Sequence, residues 1–220
     1  MDLDTLLTRI RHLPVSVLSD ADKSLPTMDH GIHRVAGTGT VAGRAVTVHS
    51  DGDLLPVLEG LELAQAGDVL VVDASTNPTV AVAGGLFATE AHRKGLSAIV
   101  VDGLVRDLDT LRPLGFTVYA RGTCPRSGPA IAPPRTQVPI RCGGVTVHPG
   151  ALVLGDDDGV LVAATERLAA VLDTAEAIHL REEAVLAKLT DGGSLFASMN
   201  FRTHRENVLN GTPSRLGFIV

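Results

Sequence analysis

Val69-Leu70-Val71-Val72 places four apolar side chains at successive positions, with no polar alternation to turn toward solvent, and Asp73 ends the run. A strand that reads this way is covered on both faces. The segment that follows supplies material for the cover. Gly84-Gly85 opens the amphipathic stretch LFATEAHRKG, Gly95 closes it, and SAIVVDG is a second buried strand. This β-loop-α-β unit commits the chain to an α/β fold.

The same grammar extends on either side. Leu3, Leu6, Leu7 and Ile10 have helical spacing, and a second short helix runs through Val15, Leu18 and Ala21. VAGRAVTVHS at 41–50 is a strand with a bulge expected at Gly43, and Asp53 to Gln65 returns to helical periodicity. VRDLDTLRPLG is a short helix ending near Pro113, and FTVYARG is a strand. Prolines 125, 129, 133, 134 and 139 then forbid a helix and predict an ordered surface connection. VPIRC-GG-VTVHPG and LVLGDDDGVLVAA are hairpins. Thr165 is the expected cap of a long helix toward Leu189, with Leu168, Val171, Leu172, Ala175 and Ile178 on one face. Thr203 to Glu206 has capping-box spacing for one more short helix.

Composition narrows the function. Aromatic residues make up 3% of the 220 positions and Trp is absent, so Val, Leu, Ile and Ala must fill the core. A formal charge of −6 argues against a phosphate-tracking surface, so no nucleic-acid partner is expected. No apolar run approaches the roughly 20 residues that span a bilayer, and the N-terminus lacks the apolar core of a secretory signal. The expectation is one compact domain over 1–220 in the cytoplasm, with no membrane partner. Cys124 and Cys142 fit neither a disulfide framework nor a metal spacing.

Chemistry concentrates at two loops that should converge. Gly84-Gly85-Leu86-Phe87 starts a helix, where open backbone N–H groups and the positive helix end accept a carboxylate, and glycines let it approach. Arg106 can grip the same carboxylate through two points, and Asp107 offers hard oxygen ligands to a cation such as magnesium. From spacing alone, turn glycines and an ordinary exposed Arg-Asp pair at a helix start are the favoured explanation of the pattern.

These segments carry a resemblance. GDVLVVD at 67–73, AGGLFATEAHRKGLSAIVVDGLVRDLDTL at 83–111, RGTCPR at 121–126 and GGVTVHPGALVLGDDDGVLV at 143–162 resemble the regulator-of-ribonuclease-activity-A-like (RraA-like) family. MDHGI at 28–32 and VAGRAVTV at 41–48 match it too, and the likeness spans roughly residues 15–175, leaving 176–220 as a C-terminal helical extension. The family includes class II aldolases for 4-hydroxy-4-methyl-2-oxoglutarate and 4-carboxy-4-hydroxy-2-oxoadipate. Their pattern of a Gly, twenty residues and Arg-Asp is reproduced by Gly85 and Arg106-Asp107.

The resemblance implies an αββα sandwich in homotrimers or homohexamers, with sites between subunits. It implies Asp107 as ligand of a divalent cation (Mg2+, Mn2+ or another) and Arg106 as the substrate clamp. The N–H groups around Leu86 and Phe87 would complete a site for a small 2-oxo acid. The implied reaction is carbon–carbon cleavage that releases pyruvate through its enolate, which oxaloacetate decarboxylation shares. The alternative is a non-catalytic regulator that binds ribonuclease E. These aldolases usually carry an acidic residue straight after the first Gly of the loop, whereas this chain has Gly85. The family also draws an acidic residue from a neighbour's C-terminal region, for which Glu182 and Glu183 are available.

Other features read as structural. Lys23, Lys94 and Lys188 lie outside apolar strands, so a Schiff-base mechanism is not expected. His30 and His33 lack a third ligand. Asp156-Asp157-Asp158-Gly159 has hairpin-turn chemistry. Cys124 has basic neighbours but no partnered His. Asp102, four residues before Arg106, could bond that arginine, support a metal water or cap a turn. No ribose-binding acid follows a Gly-rich strand–helix turn, so methyl transfer is set aside.

Overall fold

The computed structural model describes residues 1–219. Helices α1 (Leu3–Ile10) and α2 (Val15–Ala21) open the chain. Asp2 caps the first by accepting the Thr5 N–H at 2.9 Å, one of the donors that a helix start leaves open. Strands β1 (His33–Ala36) and β2 (Val41–His49) follow, then α3 (Leu54–Leu63), β3 (Val69–Asp73), β4 (Ala81–Ala83) and α4 (Gly85–Arg93). After them come β5 (Ala98–Val105), α5 (Leu108–Leu114) and β6 (Thr117–Thr123). Two hairpins, β7 (Ile140–Cys142) with β8 (Val145–Val147) and β9 (Leu152–Gly155) with β10 (Val160–Ala163), precede the long helix α6 (Thr165–Thr190). A 3-10 turn (Leu195–Ala197) and α7 (Phe201–Leu209) complete the order.

The main sheet runs β1-β6-β5-β3-β2-β9-β10, with β4 beside β5. β2, β3, β5 and β6 are parallel neighbours, while β9 and β10 add antiparallel. β2 joins the two regimes: Val41 to Arg44 pair with β9, and Ala45 to His49 pair with β3. The change of partner lets the sheet fold back on itself, and three apolar layers result. Leu70, Val72, Ile99 and Val101 pack with α3, α4 and α5 in the first. Val69, Val71, Ala98 and Val100 meet Val153, Val160, Val162 and Ile140 between the two β-layers in the second. Leu152, Leu154 and Leu161 pack against α1, α2 and α6 in the third. The architecture is a mixed α/β domain, an αββα sandwich. The run at 69–72 is apolar throughout because helices cover one face and strands the other.

Three local expectations need correction. Gly43 makes no bulge, since Ala42, Gly43 and Arg44 pair in unbroken register with Leu154, Val153 and Leu152. The glycine serves close approach instead, because a Cβ there would lie 2.1 Å from the Gly67 carbonyl oxygen. Thr165 is the first residue of α6, not its cap; Ala164 occupies that position without a side-chain bond. Thr203 lies inside α7, which starts at Phe201 after an Asn200 that makes no side-chain cap. Both hairpins form as read, with Gly143 and Gly144 at positive φ in the first turn. α5 carries Pro113 within its last turn and ends at Leu114, before Gly115 in the left-handed region. No helix of the described residues is long and apolar enough to cross a membrane.

Candidate active site

β5 delivers Arg106 and Asp107 to the point where β4 gives way to α4. The Arg106 N–H donates to the Ala83 carbonyl at 3.1 Å, which ties the two loops together. Asp107 then adopts φ 62° and ψ 44°, the left-handed conformation that a β-carbon disfavours. That turn sends its carboxylate back across the opening of α4, where Oδ2 accepts the Gly85 N–H at 3.0 Å. Arg106 Nε lies 3.5 Å from the same oxygen. Strain of this kind persists only where surrounding contacts impose it, and it clusters at functional sites.

The glycines have a steric reason. A Cβ on Gly84 would sit 2.6 Å from Asp107 Oδ2 and 2.8 Å from Arg106 Cγ, so a side chain there would evict both. A Cβ on Gly85 would come within 2.9 Å of Thr110 Cγ2, from the first turn of α5. Thr110 therefore occupies the space that a side chain at position 85 would need.

Arg106, Asp107, Gly84, Leu86 and Phe87 line one open pocket, with an empty volume of about 300 Å³. The sequence expectation that both loops converge holds in the geometry. Gly85 reaches the pocket through its bond to Asp107. The remaining lining residues, Leu54, Ala81, Ala83 and Ser127, escaped sequence reasoning. β4 is three residues of small or β-branched side chains, too short for any period to register. Ser127 arrives from the proline-rich connection, which folds back to bridge Ala81.

Leu54 is held in place by a cap. The Asp53 carboxylate accepts N–H groups of Leu55 at 2.8 Å, Ile131 at 3.0 Å and Ala132 at 3.0 Å. Burial pushes its pKa up, but these three bonds outweigh burial and hold it below the usual carboxylate value. The Leu54 N–H also donates to the Pro129 carbonyl at 2.7 Å, so one acidic residue fixes both the start of α3 and the wall loop.

Asp102 belongs elsewhere. It is buried, accepts the Gly143 N–H at 2.7 Å and pairs with Arg121, which also grips Asp29 through two bonds of 2.8 Å. It therefore ties β5 and β6 to the first hairpin and makes no bond to Arg106. Asp156, Asp157 and Asp158 serve their turn: Asp156 accepts the N–H groups of Val15 and Asp158, and Asp157 pairs with Arg34 at 2.6 Å. Cys124 Sγ donates to the Thr79 carbonyl at 3.4 Å. Burial pushes the Cys142 thiol well up. Lys94 Nζ bonds the Leu61 and Glu62 carbonyls, and no lysine lines the pocket among the described residues. Glu182 and Glu183 lie on α6 outside the pocket, Glu183 beside His179 at 3.5 Å. Among the described residues no three His, Cys, Asp or Glu gather as a metal cage.

Comparison with known proteins gives this geometry a context. The family described as RraA-like: Aldolase/RraA matches residues 15–162. The chain belongs to the RraA-like family. A protein of Halalkalibacterium halodurans with the provisional name 4-hydroxy-4-methyl-2-oxoglutarate aldolase is 34% identical over 186 residues, covering 84% of this chain and 89% of that one. The crystal structure of an uncharacterized Pseudomonas syringae protein superposes with a TM-score of 0.76 at 27% identity, over 87% of this chain and 95% of the other. The RNA-processing inhibitor RraA from Thermus thermophilis gives 0.64 at 31% identity, over 68% of this chain and 92% of that chain. The RraA-like family thus includes proteins named as aldolases and proteins named as inhibitors of RNA processing.

Proposed function

We propose that this RraA-like protein is a divalent-metal-dependent carbon–carbon lyase. It would release pyruvate from 4-hydroxy-2-oxo acids of the 4-hydroxy-4-methyl-2-oxoglutarate type and also decarboxylate oxaloacetate. The observation that carries the reading is the left-handed Asp107, whose carboxylate is anchored by the Gly85 N–H beside Arg106 in an open pocket.

The donor set fits a hard cation. Asp107 offers one carboxylate with Oδ2 steadied by a backbone donor, and magnesium or manganese commonly binds through one or two carboxylates, with water and substrate oxygens filling the rest. A bound cation would supply the electrophile that takes up negative charge as the C3–C4 bond breaks. Arg106 would hold the substrate carboxylate, and the open N–H groups of Leu86 and Phe87 at the start of α4 would orient it. Leu54 and Phe87 would keep bulk water from the reacting carbon.

Assembly into a homotrimer or homohexamer goes with this reading. Leu55, Leu58, Leu86 and Ile131 are 36%, 41%, 81% and 81% exposed, and they belong to the two helices and the loop that line the pocket. An apolar collar of this sort suits burial by a second subunit, which would also close the pocket. A cytoplasmic location is part of the same proposal.

Pyruvate release tests the lyase directly. Native protein and Asp107→Ala are incubated with oxaloacetate and 4-hydroxy-4-methyl-2-oxoglutarate, with magnesium or with a chelator. Turnover by the native protein with magnesium alone is the expected result. The second reading, a non-catalytic regulator that binds ribonuclease E, draws on the likeness to the Thermus inhibitor. It predicts inhibition of ribonuclease E in vitro and no metal-dependent pyruvate from either acid.

A further inference from the structure

His49, the last residue of β2, sits between two aspartates. Its Nδ1 lies 3.0 Å from Asp73 Oδ2 at the end of β3, and its Nε2 lies 3.0 Å from Asp51 Oδ1 in the loop before α3. The Ser75 hydroxyl already donates to Asp73 at 2.7 Å and the Thr76 hydroxyl to Asp51 at 2.6 Å. The Thr76 bond outweighs burial and, with the charge of His49 beside it, holds Asp51 below the usual carboxylate range. A carboxylate only accepts, so a ring that meets one at each nitrogen must donate from both. An imidazole does that only when it carries its second proton. The other charged groups around the ring are Arg135 of the proline-rich connection, whose carbonyl accepts the His49 backbone N–H at 2.9 Å, and Glu59 of α3, bonded to Thr136 at 3.0 Å. Behind Asp73, its neighbour in register on β5 is Asp102, paired with Arg121. The Cys142 thiol close to both aspartates is pushed well up by burial and stays neutral.

The loop that His49 holds stands behind three walls of the pocket. It runs directly into Asp53 and Leu54. Its Gly52 carbonyl approaches Gly128, where a Cβ would come within 1.8 Å, and Gly128 follows Ser127 of the lining. Thr76 and Asn77, which bond Asp51 through its side chain and its carbonyl, lead on to Ala81. Asp51 itself is at φ 48°, a left-handed conformation that outside contacts must sustain. We infer that His49 is a positioning residue for the pocket: its doubly protonated ring clasps Asp51 to Asp73 and so fixes the loop that carries Leu54. When the ring gives up a proton, one nitrogen turns a lone pair toward a carboxylate and that bond is lost. Asp51 is the partner released, because its side chain is 57% exposed and its backbone strained, whereas Asp73 is buried. The clasp is complete at low pH and lost as pH rises through the titration of the ring. Every bond in it lies within one subunit, so it does not depend on what a second subunit adds to the pocket. Its effect on turnover rests on the lyase reading.

Hydrogen exchange and kinetics test the clasp and its consequence separately. Native protein, His49→Gln and His49→Arg are compared at matched pH, from about pH 5 to about pH 8, the range in which histidine changes charge. Gln can donate toward only one carboxylate, while Arg stays charged and donates on several sides. At the low end the amides of residues 50–56 should exchange about tenfold more slowly in the native protein than in His49→Gln, and that protection should vanish toward the high end. His49→Arg should keep the slow exchange throughout. Native protection over His49→Gln that persists unchanged across the range overturns the inference, as does equal exchange of the two at every pH. Pyruvate release from 4-hydroxy-4-methyl-2-oxoglutarate in magnesium is followed alongside. The native KM should climb to the His49→Gln value as pH rises, with the ratio of their kcat values constant and the KM of His49→Arg left low. A KM ratio that ignores pH while exchange follows it counts against the positioning role. No pyruvate from the native protein at any pH overturns the lyase reading, and the exchange data then decide the clasp alone.

Discussion

Asp107 bears two burdens at once, a backbone conformation that costs energy and a carboxylate aimed into the pocket. The substitutions Asp107→Asn and Asp107→Ala separate them. Both remove the charge proposed to hold the cation and should abolish metal-dependent turnover. Asn tolerates the left-handed region and its side-chain oxygen can still accept the Gly85 N–H, while Ala does neither. The Ala variant should therefore be less stable than the Asn variant by about 1–2 kcal/mol in urea unfolding. Equal stabilities would mean that neither the strain nor the bond matters to the fold.

At the scale of elements, Asp53 governs the pocket wall, and its removal should be expensive. Asp53→Ala leaves the N–H groups of Leu55, Ile131 and Ala132 without their acceptor, a loss of about 2–4 kcal/mol by chemical denaturation. The pH dependence follows from the lowered pKa of the folded state. Between that value and the ordinary one of about 3.9, the unfolded chain binds the extra proton. The stabilisation is complete above the ordinary value and drains away as pH falls through the folded one. Asp53→Asn should flatten the loss of stability below about pH 4 that the native protein shows.

The elements also mark where the sequence could be read. The parallel unit of β3, α4 and β5 was legible because long apolar runs and flanking glycines agree on it. β4 was not, since three residues carry no period, and the caps at Ala164 and Asn200 were missed because neither makes a side-chain bond. Asp102 misled for a related reason. The register of β5 shifts between Val101 and Leu104, so counting back from Arg106 does not give the face on which Asp102 lies. Arg106, Asp107 and the two glycines were legible because the motif is local. Leu54 and Ser127 join them only through tertiary folding.

On the scale of the whole molecule, the apolar collar around the pocket calls for a partner surface. Leu58→Glu, at a side chain 41% exposed in the isolated subunit, should cost little in subunit folding yet shift sedimentation toward the monomer. A native protein that sediments as a monomer would remove the argument for subunit closure. α7 has no fully buried residue, so the C-terminal extension is a second surface available for such assembly.

The account turns on whether the Asp107 carboxylate and the Arg106 guanidinium hold a cation and a 2-oxo acid side by side. Crystals grown with manganese and pyruvate, measured at the manganese absorption edge, answer this directly. The predicted result is an anomalous peak within coordination distance of Asp107, with the pyruvate carboxylate on Arg106 and the first turn of α4. A peak at some other carboxylate, with Asp107 turned away from an empty pocket, would contradict the account and leave the binding-protein reading in its place.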